Sequence, residues 1–261
     1  MVLWLIILRG ISIEFRSLEA NPLWRSFWDS TFAFSSTVVA VVLGVSLANV
    51  IRGVPLDATG FFHVPLFTNF RVGPDPGALD WYTLLVGAYA LTLLAAHGAL
   101  YLAWKTDGPV GERCAGLAPR LWHATLALLL PVTVATGFVQ PALFHKLAAQ
   151  PAWWLLALPL TGAPLLVLRS LRRAQPLRAF LASSLFIAAT LIATSAGLFP
   201  HLLRSTLSDA HSLTIHNAAS AHHGLVLGLL WWIPAMLLAL FYFTYLFRSF
   251  RGKARPSDYT H

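Results

Sequence analysis

Arg9, Glu14 and Arg16 put three charges within eight residues, directly behind an apolar run. Such groups are costly to bury beside lipid, so they must be paired, sit at the water boundary, or face a protein interior. On a helix, Arg9, Ser12 and Arg16 share one face, whereas Glu14 lies about 140° round from Arg9. Arg9 and Glu14 therefore cannot simply pair along one helix. Either Gly10 lets the helix bend, or the partners come from other segments. The structural reading is a helix end at the membrane surface whose arginines snorkel to water.

Ten histidines are the second possible source of chemistry. His97 lies inside an uncharged run and His123 near the start of the next. Their depths could match, as two axial haem ligands on facing helices require; a hydrogen-bonded structural role for each is the simpler account. His201, His211, His216, His222 and His223 fall in one later stretch. If residues 212–223 are helical, His216 and His223 stand about 10.5 Å apart along the axis, too far to share one ion. No H-x-x-x-H pair and no Cys or carboxylate at ligand spacing supports zinc, so no metal site is expected. An amphipathic helix lying on the membrane surface is expected there instead.

The stretch N-V-I-R-G-V-P-L-D at 49–57 reads as a helix end. Arg52 complements the helix dipole, Gly53 supplies a left-handed cap and Pro55 prevents continuation. No P-loop, nucleophile elbow or dinucleotide fingerprint occurs, so the chain has no self-contained catalytic set.

The elements that must position these residues are membrane spans. Hydrophobic residues make up 57% of the 261 and charged residues only 11%. With a mean hydropathy of +0.68, this is the composition of an all-α polytopic membrane protein, read as a single membrane domain over 1–261. Uncharged runs at 30–51, 81–104, 121–140, 147–168, 179–199 and 224–247 give six complete transmembrane helices. Pro151, Pro159 and Pro164 interrupt the fourth. The apolar residues 1–8 are too short to cross, since a span takes about 20 residues. They read as a half-helix whose remainder is missing or supplied by another chain, or as a stub lying on the surface.

Fourteen of the eighteen Lys and Arg residues, including Arg248, Arg251, Lys253 and Arg255 in the tail, fall on one side of this topology. That side, with the C-terminus, is expected in the cytoplasm. The net charge of +8 thus needs no nucleic acid to explain it. Trp28, Trp81, Trp104, Trp122, Trp153 and Trp154 are expected near span ends, where amphipathic rings favour the interface. A single cysteine, Cys114, excludes a disulfide framework.

Several stretches, in this order, resemble subunit II of cytochrome bd-type quinol oxidases. They are Arg9-Gly10-Ile11-Ser12-Ile13-Glu14-Phe15-Arg16, residues 24–28, N-V-I-R-G-V-P-L at 49–56, and His97 to Leu102 with Lys105-Thr106. Residues 212–220, containing His216 and Asn217, and Phe250-Arg251-Gly252-Lys253 complete the set. The resemblance spans essentially the whole chain. Family members are longer at the front, where they carry a G-F-D-x-G-type motif and an acidic W-[DE]-x-N-type motif; neither is in this sequence.

The resemblance implies a bacterial inner-membrane complex that oxidises quinol and reduces O2 to water with cytoplasmic protons. Haems b and d would belong to subunit I. Subunit II would be haem-free, a scaffold that contributes to proton access and holds, in some readings, a structural quinone. Its implied partners are subunit I, lipid and quinone or quinol, with no nucleic acid. On this resemblance Arg9, Glu14 and Arg16 face the haem-bearing subunit. Glu14 would carry protons and Arg9 stabilise charge, with simple inter-subunit ion pairing as the other reading. Arg52, Gly53, Pro55, His97 and Asn217 belong to its structural motifs. Two other classes remain open at this point: a stand-alone b-type cytochrome with His97 as ligand, and a small-solute transporter whose Pro-broken fourth helix marks a midplane site.

Overall fold

The computed structural model describes residues 2–62 and 64–254, so Arg255 of the basic tail lies outside the described residues. Helices α1 (Val2–Leu18), α2 (Pro22–Arg52), α3 (Trp81–Lys105) and α4 (Pro109–Val139) come first. The short α5 (Pro141–Ala149), a 3-10 segment (Pro151–Leu156), α6 (Ala157–Arg172) and α7 (Pro176–Leu198) follow. A small hairpin of β1 (His201–Leu203) and β2 (Leu213–Thr214) then leads to α8 (His222–Ser249).

Local chemistry sets these boundaries. Pro22, Pro109, Pro141 and Pro176 each open a helix, where the missing N–H is no loss and φ is already helical. The Asn21 side chain accepts from the Leu23 N–H at 2.9 Å, capping α2. Asp80 caps α3 through a reciprocal box: its carboxylate accepts from the Thr83 N–H at 2.8 Å, and the Thr83 hydroxyl accepts from the Asp80 N–H at 2.9 Å.

Five helices, α2, α3, α4, α7 and α8, are long and apolar enough to cross a membrane. The span expected over 147–168, with its three interrupting prolines, is divided among the end of α5, the 3-10 segment and α6. Pro159 has no N–H to give the carbonyl of residue 155, and its ring crowds that carbonyl, which favours the change from 3-10 to α-helix just ahead of it. The expected break at Arg9 is also absent: α1 continues through the charges to Leu18. Gly10 alone costs a helix only about 1 kcal/mol, and a strong stop comes only at Asn21-Pro22.

Two buried clusters hold the bundle. One joins α3, α4, α6 and α7 around Leu100, Trp122, Val167 and Phe186. Trp122, expected near an interface, is fully buried because α4 starts at Pro109, well before the uncharged run, and its indole N–H reaches the Pro164 carbonyl at 3.4 Å. The other cluster joins α2 to α5 around Ala48, Tyr82 and Leu143. Helices α2 and α3 approach so closely at Gly44 and Gly87 that a Cβ on Gly44 would stand 2.5 Å from the Ala90 Cβ. Small residues at such crossings let backbones pack without lipid between them.

Helix α8 is different. None of its residues is buried. It is tied at its C-terminal end: beyond it the Ala254 N–H donates to the Lys105 carbonyl at 2.9 Å, Lys105 Nζ donates to the carbonyls of Phe250 and Gly252, and Lys253 pairs with Asp107 at 2.8 Å.

Candidate functional site

The charges of α1 meet α2 in an antiparallel hairpin. The face of α1 that buries Leu5 and Ser12 also carries Arg9 and Arg16. Partners for both come from α2. Arg16 Nε donates to Asp29 Oδ1 at 2.5 Å, and this bond raises the Arg16 guanidinium above its ordinary pKa. The Arg9 guanidinium stands 5.3 Å from the Phe32 ring centroid, a cation–π geometry. Trp28 packs against Phe15, Trp24 and Phe27 at the same corner, and the Trp24 indole donates to the Phe15 carbonyl at 2.7 Å. Glu14 lies off this face, exposed, and none of the four ion pairs among the described residues includes it. The Arg16–Asp29 pair is half exposed on both sides, so solvent screens it and it adds little to stability.

The densest buried polar cluster lies elsewhere, where α2 ends. Arg52 does sit at a helix C-terminus, but its side chain is 1% exposed and paired with Asp80, which is 0% exposed. Arg52 also donates to the Gly77 carbonyl at 3.1 Å and to Asn49 Oδ1 at 2.6 Å. Asn49 in turn donates to the Ala78 carbonyl at 3.0 Å, tying the 77–80 backbone to α2. Gly53 has φ 99°, which favours glycine, and its N–H closes on the Asn49 carbonyl at 2.9 Å.

Past Gly53 the chain runs beside the segment after β1. Val54 N–H donates to the Arg204 carbonyl and Thr206 N–H to the Val54 carbonyl, both at 3.0 Å. Pro55 follows at the point where the strand-like pairing replaces the helix. Ser205, buried, donates to the Leu56 carbonyl at 2.8 Å, while its own N–H bonds Ser212 Oγ at 2.9 Å. Arg204 reaches Gln140 of the α4–α5 link and Asp209. Asp80, Gln140 and Ser205 escaped the sequence reading. Asp80 three residues before Thr83 was a legible cap signal; its pairing with Arg52, across a 28-residue separation, was not.

The histidines do not converge. His97 Nδ1 bonds Ser183 Oγ at 2.7 Å, and its ring stacks on Phe180 at 4.8 Å. His123 bonds the Pro119 carbonyl of its own helix at 2.6 Å and is exposed. Each imidazole uses Nδ1 for a bond within the chain, His97 across to α7 and His123 to its own helix. Among the described residues no three His, Cys, Asp or Glu side chains gather as a metal site.

The expected surface helix over 212–223 is replaced by β2, a turn and the start of α8 only at His222. The cause is side-chain competition with helical bonding: Asn217 Oδ1 accepts from the Thr214 N–H at 2.7 Å, and Asn217 Nδ2 donates to the Ser212 carbonyl at 2.9 Å.

Five helices long and apolar enough to cross a membrane, with polar clusters at their ends, define a multi-pass membrane protein. Residues 1–250 match the family described as "Cytochrome bd terminal oxidase subunit II", and the chain belongs to that family. It is 26% identical to the cytochrome bd-I ubiquinol oxidase subunit 2 of Escherichia coli, aligned over 99% of this chain and 74% of that protein. It is 24% identical to the cytochrome bd ubiquinol oxidase subunit 2 of Bacillus subtilis, over 96% of this chain and 72% of that one.

Proposed function

We propose that this chain is the haem-free subunit II of a bacterial inner-membrane quinol oxidase. It scaffolds a haem-bearing subunit I, which holds haems b and d, and contributes to proton access during reduction of O2 to water. The quinol, and any structural quinone, would lie in the lipid phase that the long apolar helices share with that partner. The observation that carries this beyond family membership is the α1–α2 corner. Asp29 and Phe32 engage Arg16 and Arg9 from one side, while α1 packs mainly on α2 and leaves Glu14 exposed, without an ion-pair partner among the described residues. A carboxylate so placed suits proton carriage toward a partner's redox centre, with Arg9 balancing the charge that arrives there.

The same reading gives six crossings. The 3-10 segment and α6 form one helical run over 151–172, about 12 Å of 3-10 and 24 Å of α-helix, enough for a hydrocarbon core of about 30 Å. It brings Val167 to Trp122 at the end of the bundle opposite the Arg52 cluster, which supports a full passage. With six crossings and the basic loops inside, the C-terminus is cytoplasmic.

Glu14→Gln in the purified complex tests the proton role. Oxygen reduction should slow while both subunits still co-purify; turnover equal to the unaltered complex would remove it.

A further inference from the structure

We propose that the turn between α6 and α7 docks an anionic phospholipid, its phosphodiester head group among Arg169, Arg172, Arg173 and Arg178. These four arginines fall within ten residues and all are exposed. Among the described residues no carboxylate pairs with them, since the ion pairs there use Arg16, Arg52, Arg204 and Lys253. Nor does capping the helix occupy them. The last carbonyls of α6 are taken by backbone: Arg173 N–H bonds the Arg169 carbonyl at 3.2 Å, and Gln175 N–H bonds the Ser170 carbonyl at 2.9 Å across Ala174 at φ 49°. Arg178 reaches only the neutral Gln175 side chain, at 3.0 Å. Four like charges this close create a local positive field that favours an anion from outside.

The neighbouring surface identifies that anion as an amphiphile. On α7, Leu181 and Leu185 follow Arg178 at i+3 and i+7 on one face and are 55% and 51% exposed. On α6, Leu165 and Leu158 precede Arg169 by four and eleven residues on one face and are 64% and 73% exposed. Each helix thus presents an exposed aliphatic stripe that ends in arginine. Acyl chains can lie along the stripes while phosphate meets the guanidinium groups, whose planar donor sets favour phosphate. A soluble phosphate would use the arginines and leave the stripes uncovered.

The test uses the intact oxidase complex exchanged into phosphatidylcholine nanodiscs with a minor fraction of phosphatidylglycerol, the lipid retained after extraction being counted by native mass spectrometry. Each arginine should contribute about fivefold to the preference for phosphatidylglycerol. The pair R172Q/R173Q should therefore lose about 25-fold and R169Q/R172Q/R173Q/R178Q more, while the four-lysine variant keeps most of the preference. Unchanged retention in R172Q/R173Q overturns the proposal, and this milder variant decides the matter should the fourfold one fail to assemble. Loss of the partner subunit with lipid retained also overturns it, assigning the arginines to protein carboxylates. Displacement of the lipid by millimolar inorganic phosphate overturns it as well, because the acyl stripes would then contribute nothing.

Discussion

Asp80→Asn isolates the charge that the Arg52 cluster depends on. Asparagine caps a helix as well as aspartate does, so the bond from the Thr83 N–H survives and the start of α3 is preserved. What is lost is the negative charge facing a guanidinium that is 1% exposed. Arg52 would keep the Gly53 and Gly77 carbonyls and Asn49, which take three of its five N–H groups and leave its charge buried without a counter-charge. Breaking such a pair from one side costs about 3–5 kcal/mol. At about 2–4 °C per kcal/mol for a chain of this size, Tm should fall by on the order of 10 °C. Asp80→Ala also removes the cap and should cost about 1 kcal/mol more. In the double variant R52M/D80N the stranded charge is gone, so much of the loss should return. Tryptophan fluorescence of the purified complex during heating reads all four proteins. Equal Tm for D80N and the unaltered complex, or no recovery in R52M/D80N, would refute the assignment of this pair as a buried, charge-coupled tie between α2 and α3.

Gly53→Ala should destabilise by about 2 kcal/mol or more, since φ 99° is strained for any residue with a Cβ and that atom would stand 2.9 Å from the Arg204 carbonyl; the same thermal assay checks it. His97→Leu should cost about 1 kcal/mol through loss of the Ser183 bond and leave the haem b absorption of the complex unchanged, whereas a diminished haem band would make His97 a ligand. The Asp57 carboxylate is held below the usual range, first by the Thr59 hydroxyl and then by the N–H groups of Thr59 and Phe61. Its folded-state pKa is depressed, so its contribution is complete above the unfolded value near 3.9 and is lost as pH falls through the folded value. The Tm gap between the unaltered complex and Asp57→Asn should accordingly shrink as acid is added below about pH 4, and a gap that is constant or grows would count against it.

Span positions were legible because lipid imposes them. The uncharged runs 81–104 and 224–247 became α3 (Trp81–Lys105) and α8 (His222–Ser249) within two residues. Helix length was less legible, because hydropathy reports the bilayer and not the backbone. Helix α4 continues outside its apolar run through Glu112, Arg113 and Arg120, and α2 through Trp24 to Asp29, where polar residues are good helix formers at a water boundary. The 212–223 stretch shows the converse error. Its periodicity fitted a helical face, but the Thr214 and Asn217 side chains bond the backbone locally and close a turn.

The Arg52–Asp80 pair was illegible for a different reason: each residue had a sufficient local explanation, one as a dipole partner and the other as a cap. Both local roles are real, and the buried pairing is added to them. A charge that already satisfies one helix end costs little extra to orient toward a second. Helix termini are therefore where a membrane protein can most cheaply place a tertiary ion pair. The same logic separates the two polar regions of this chain. At Arg52 the charges are sealed, mutually satisfied and buried, which suits a scaffold. At Arg9, Glu14 and Arg16 they are exposed, and Asp29 is the one countercharge α2 supplies. An arrangement that closes its charges at one end and leaves them open at the other is what a subunit needs when its own fold must stand at the first and a partner's charge must be met at the second.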